Sequence, residues 1–220
     1  KTTLALQFLL EGARNGETGL YVTLSETKHE LVGVAGSHGW SLDGIDIYEL
    51  VNTESCENAS LQYTMFEPAE IELSTTVDGV LQRVKELQPK RVVFDSLSEM
   101  RLLSQSSLRY RRQILALKQF FVGRGCTVLL LDDYSAQDDQ HLHSIAHGVI
   151  RLEHLLSDYG GERRRLRIIK QRGSSFIGGA HDMRIARGGL QVYPREVNEL
   201  YSGEAQNHLV ASGNQAFDQL

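Results

Sequence analysis

No run of this 220-residue chain approaches the roughly 18 apolar residues that a membrane-spanning helix needs. Cysteine is scarce as well. Only Cys56 and Cys126 occur, without the spacing of a metal site, and they read as ordinary thiols of a reducing compartment such as the cytoplasm. His141, His143 and His147 lie near one another, but their spacing fits no usual zinc pattern and no cysteine or tight carboxylate accompanies them. A surplus of positive charge is missing too. The net charge of -5 argues against a general nucleic-acid binder. The segment from Asp132 to Gln140 holds four aspartates and neither lysine nor arginine. Phosphate contacts need cations, so DNA is not an expected partner. No internal repeat is visible.

The remaining composition is ordinary. With 41% hydrophobic and 23% charged residues, the chain suits one globular domain with a sizeable core. Residues 3–14 predict a helix with Leu4, Phe8 and Leu9 on one side, and Gly16 just beyond it. Gly19 to Leu24 reads as a short buried strand. Thr27 suits the cap of a helix reaching about His38, with Gly39 as its stop. Residues 46–52 suit a strand, and residues 53–74 an irregular surface excursion. Val77, Val80, Leu81, Val84 and Leu87 follow helical spacing up to Pro89. Arg91 to Ser96 predicts a strand, Ser107 to about Gly123 a long helix, and Thr127 to Leu131 another strand. Strands alternating with helices at this spacing predict an α/β fold with a mainly parallel sheet covered on both faces. Beyond residue 147 the texture changes. Strand-like segments separated by Gly160-Gly161, Gly173 and Gly188-Gly189 predict antiparallel strands added to the sheet edge.

Four segments carry chemistry. Lys1-Thr2-Thr3 leads straight into an amphipathic helix, as the end of a phosphate-binding loop G-x-x-x-x-G-K-[ST] does. There Lys1 would reach the outer phosphates of a nucleotide and Thr2 would ligate magnesium. Taken alone, a Lys-Thr pair is equally a common surface dipeptide. Asp95, followed by Ser96, closes the strand Val92-Val93-Phe94 at the carboxyl edge, where open α/β sheets bind ligands. It suits a magnesium carboxylate or the N-cap of the segment that follows, and both readings stand. Glu26, just past the first strand, opens onto the same edge. It suits a base for an attacking water or a carboxylate at a helix entrance. Lys170 and Arg172 alternate before the Gly173-Ser174-Ser175 turn, so they share one face. They suit a phosphate contact, within this subunit or a neighbour, or a solvated edge strand.

Taken together, KTTLALQFLLEGA, GLYVTLSET, RVVFDSLSE and GERRRLRIIKQRGSS resemble the KaiC branch of the RecA-fold ATPases, the family of the circadian-clock ATPase. The K-x-R-G-[ST]-S run after an arginine-rich strand is the most specific of these marks. The resemblance implies a RecA-like P-loop core over residues 1–195. It also implies a connector over 196–220 that opens a second such domain, since VASGNQAFDQL is similar to the entry of another copy. It implies a homo-oligomeric ring, commonly a hexamer, with ATP and Mg2+ held between subunits. Lys1, Thr2 and Thr3 would then end the P-loop, Asp95 and Ser96 the Walker B strand. Lys170 and Arg172 would reach the γ-phosphate of the neighbouring subunit. The family's paired glutamates read Ser25-Glu26 here, and Phe176 stands where clock members often carry histidine. The expected activity is Mg-dependent ATP hydrolysis. Alternatives are a serine/threonine autokinase, with Ser144 as the comparable hydroxyl, and a nucleotide-sensing scaffold with little turnover. Because the P-loop glycines would precede Lys1, a chain starting there is expected to bind ATP poorly by itself.

Overall fold

The computed structural model describes residues 1–50, 68–104, 106–133, 139–156, 159–196 and 213. The expected surface excursion up to residue 67 and, apart from residues 196 and 213, the connector expected over 196–220 lie outside them, as does Tyr134 to Asp138.

Alternation along short buried strands sets up the layers. The elements in order are α1 (Thr2–Arg14), β1 (Gly19–Thr23), α2 (Lys28–Ser37), β2 (Ile45–Glu49), α3 (Pro68–Leu87) and β3 (Arg91–Asp95). There follow α4 (Leu97–Leu103), α5 (Ser107–Phe121), β4 (Thr127–Leu130), α6 (Asp139–Ile145), β5 (Gly148–Leu155), β6 (Arg163–Gln171), β7 (Ala180–Ala186) and β8 (Gly189–Tyr193). The first four strands pair in parallel in the order β2-β1-β3-β4. Side chains alternate between faces at every step of a strand. Leu20, Val22, Val92 and Phe94 therefore face one way, against Val80, Val84, Ile114 and Leu117 of α3 and α5. Tyr21 and Val93 face the other way, against Ala5, Leu6 and Leu9 of α1 and Leu31 and Ala35 of α2. Both faces are covered, as parallel sheets require.

Local signals hold the helices in place. Thr27 caps α2 in a reciprocal capping box. Its hydroxyl accepts from the Glu30 N–H at 3.3 Å, and the Glu30 carboxylate accepts from the Thr27 N–H at 2.7 Å. Gly39 follows at φ +76°, the left-handed conformation that ends the helix. Helix α3 begins at Pro68, so part of the stretch expected to be irregular is helical. Proline is compatible with a first helical turn because its missing N–H would have no intrahelical partner there. Helices α4 and α6 were not expected. At seven residues each they are shorter than the roughly 11–18-residue window over which helical periodicity is read, and α4 buries Leu97 and Met100.

The antiparallel strands form a second sheet of their own, in the order β5-β6-β7-β8. Among the described residues no strand pairing joins it to the parallel sheet, which differs from the expected edge extension. Helix α1 makes the connection. Leu4 packs onto Leu166, Met183 and Leu190. The Gln7 amide mimics a strand neighbour: its Nε2 donates to the Leu190 carbonyl at 3.2 Å and its Oε1 accepts from the Leu190 N–H at 2.9 Å. Gly189, at φ +105°, makes this approach possible, since a Cβ there would sit 2.4 Å from the Trp40 ring and 2.7 Å from Gln7 Oε1. Helix α1 thus buries surface against both sheets, where the periodicity alone suggested a single apolar side.

Candidate functional site

Strand order locates the site. From β1 the chain moves outward to β2, then crosses back to β3 on the other side of β1. This is a topological switch point, and ligands bind at the carboxyl ends of strands there. Those ends carry Thr23, followed closely by Glu26, and Asp95. Helix α1 brings its N-terminus to the same rim, with Lys1 as N-cap.

Register sets the details. Thr23 pairs with Asp95 and Tyr21 with Val93, so Tyr21, Thr23 and Asp95 share the face that α1 covers. The Asp95 carboxylate is buried. Its Oδ2 accepts a hydrogen bond from the Tyr21 hydroxyl at 2.5 Å and another from the Thr2 hydroxyl at 3.3 Å. Thr23, fully buried, clamps the backbone of Glu26. Its hydroxyl donates to the Glu26 carbonyl at 2.7 Å and accepts from the Glu26 N–H at 2.9 Å. The Glu26 carboxyl is pushed above its ordinary range, first by burial, then by the charges of Asp95 and Glu30. Its Oε2 is buried without a hydrogen-bond partner. The Lys1 ammonium pairs with Asp133 at the mouth of the rim, and Ser98 donates to the same carboxylate at 2.8 Å. Lys1 and Ser98 together hold Asp133 below the usual carboxylate range. Beside it, Asp132 takes Arg101 at 2.5 Å.

Lys1, Thr2, Asp95 and Glu26 are thus gathered on one rim. Thr3, expected with them, turns away, its hydroxyl 3.4 Å from Nε2 of His38. Ser96 is buried as the N-cap residue of α4 but makes no side-chain capping bond, and the peptide joining it to Asp95 is cis. Lys170 and Arg172 do share a face, and it is turned to the end of α6. Lys170 donates to the His143 carbonyl at 2.5 Å and Arg172 to the Ser144 carbonyl at 3.1 Å, while Lys118 donates to the Ile145 carbonyl at 2.7 Å. Three cations thereby satisfy carbonyls at the negative end of that helix. Sequence reasoning missed Tyr21, Asp133 and the clamp formed by Thr23. A tyrosine inside an otherwise apolar strand was the available signal, because a buried phenol needs a partner.

The donor set suits a hard divalent cation such as magnesium. Hydroxyl and carboxylate oxygens from Thr2 and Asp95 lie together, and the Glu26 carboxylate stands beside them with one oxygen buried and without a proton donor. A cation there would offset the charge of Asp95, which adds to burial in pushing Glu26 up. Among the described residues no cluster of histidine, cysteine and carboxylates forms any other metal site.

Comparisons with known proteins bear on fold and family. A family model described as the KaiC ATPase matches residues 1–197. A UPF0273 protein of Thermotoga maritima is 29% identical over 209 residues, covering 90% of this chain and 85% of its own length. The circadian clock oscillator protein KaiC of Acaryochloris marina is 27% identical over 229 residues. That match takes in 100% of this chain but only 42% of the clock protein. Among solved structures, a KaiC-like protein from the hyperthermophilic archaeon Pyrococcus horikoshii OT3 superimposes with a TM-score of 0.70 at 25% identity, over 88% of this chain and 83% of that one. With the RecA-like core, the carboxylate rim and a family match over nearly its whole length, the chain belongs to the KaiC family of ATPases.

Proposed function

We propose that the chain is an ATP-binding and Mg-dependent ATP-hydrolysing domain, working in a homo-oligomeric ring whose sites are completed by neighbouring subunits. The observation that carries this reading is the gathering of Thr2, Asp95 and Glu26 at the switch point between β1 and β3. Thr2 and Asp95 would hold magnesium, which when bound neutralises charge on the β- and γ-phosphates. Lys1 exchanges its partner Asp133 for phosphate oxygens. Glu26, its backbone clamped by Thr23 and its proton affinity raised by burial, orients a water and takes its proton. Lys170 and Arg172 act on the γ-phosphate of the next subunit, as a cation supplied in trans does in related phosphoryl transfers.

The test is Glu26→Gln in the full-length protein. Hydrolysis should fall roughly 10²- to 10⁴-fold, the range for removing a general base. ATP affinity measured by calorimetry should be retained. Hydrolysis at the wild-type rate removes Glu26 from the mechanism.

A second reading, a serine autokinase, is favoured by one contact. The Ser144 carbonyl accepts hydrogen bonds from Arg172 at 3.1 Å and Lys170 at 3.5 Å, so this residue sits beside both proposed γ-phosphate cations. Phosphate found on Ser144 by mass spectrometry after incubation with Mg-ATP would select it.

A further inference from the structure

Tyr21 has no part in the mechanism above, yet its placement is costly. The side chain is completely buried. Burying a phenol is unfavourable unless the hydroxyl finds a partner. A phenylalanine would fill the same space between Val93 and α1 without that requirement, so packing alone does not call for the hydroxyl. The partner it finds is Asp95. Tyr21 lies opposite Val93, and Asp95 is two residues further along the same face of β3. An aromatic side chain spans that diagonal. Tyr21 donates to Oδ2 at 2.5 Å, and Thr2 donates to the same oxygen at 3.3 Å. Two donors on one oxygen fix the plane of the carboxylate. They also leave Oδ1 with no hydrogen bond among the described residues.

We propose that Tyr21 is a positioning residue for the divalent cation: by tying down Oδ2 it presents Oδ1 of Asp95 as a ready oxygen ligand. This rests on the reading of Asp95 as a magnesium carboxylate. Without the hydroxyl, Asp95 keeps only the longer Thr2 bond, turns more freely about its side-chain torsions, and completes its ordering when the cation arrives. That ordering is then subtracted from cation binding.

The experiment titrates ATP calorimetrically into full-length wild type and Tyr21→Phe at stepped Mg2+ concentrations, alongside thermal melts. ATP affinity without magnesium should be unchanged. The Mg2+ concentration giving half-maximal enhancement should rise roughly tenfold, as expected for losing one hydrogen bond to an ionised group. A merely structural role would lower the melting temperature and leave the magnesium dependence in place. Identical magnesium dependence in the two proteins overturns the proposal. Should the variant fail to fold, 3-fluorotyrosine at position 21 of the otherwise unaltered protein gives a second readout. Its fluorine NMR signal should move as Mg2+ is added to the ATP complex, and stay fixed in Asp95→Asn. A signal that does not respond to Mg2+ overturns the proposal. Wild type that binds no ATP at any Mg2+ concentration overturns the functional reading itself, an outcome visible before any variant is made.

Discussion

At the scale of single residues, environment decides which groups are chemically available. Cys126 follows α5 and is half-buried, and burial pushes its thiol up to about 11. An exposed thiol ionises near 8.5. Only the thiolate is an effective nucleophile. Reaction of the folded chain with a disulfide reagent should therefore be slow at Cys126 at pH 8 and accelerate toward pH 11. Mass-spectrometric mapping of the modified peptide checks this. The linkage has a definite sign. The folded state keeps this proton longer than the unfolded state, so the associated stability is fully present below about pH 8.5 and is lost as pH rises through about 11. The same scale divides what the sequence made legible from what it hid. Glu26 and Asp95 were legible because a carboxylate closing an apolar strand announces its edge. Asp133 was not, because its bond to Lys1 spans 132 positions and depends on where β4 ends.

At the scale of elements, close approach outweighs intrinsic preference. Gly12 lies inside α1, where alanine is favoured by about 1 kcal/mol. A Cβ at Gly12 would stand 2.7 Å from Arg91 Cδ and 2.8 Å from Nε. That arginine is held from three sides: Nε donates to Glu17 at 2.5 Å, Nη1 donates to the Phe8 carbonyl at 2.8 Å, and its guanidinium lies 4.8 Å from the Phe8 ring. Overpacking of this kind costs about 1–3 kcal/mol. Gly12→Ala is therefore expected to destabilise, with a net loss of about 1 kcal/mol despite the better helix former, read from urea unfolding midpoints. The long helices α1, α3 and α5 and the four parallel strands were legible because each carries a full period of apolar positions. The dual role of α1 was not, since Leu4 and Gln7 find their partners on strands more than 150 residues later. Helices α4 and α6 were hidden by their length.

At the scale of the whole molecule, the proposed contact groups fall into two sets: the rim at Thr2, Asp95 and Glu26, and the cations Lys170 and Arg172 at the end of α6. If one set serves the subunit's own nucleotide and the other its neighbour's, the two defects complement each other. Full-length Glu26→Gln and Arg172→Ala should each be nearly inactive, the latter by roughly 10³-fold or more. Subunits of the two variants, mixed and allowed to exchange, should regain part of the activity, because some interfaces then pair an intact Glu26 with an intact Arg172. A mixture as inactive as its components excludes shared sites. The Gln7 clamp has a mechanical implication at this scale. One rigid amide grips both polar groups of Leu190, so the helix behind the carboxylates and the last hairpin are coupled like a lever and its load. Any shift of that helix that keeps both bonds must carry the last strand along with it.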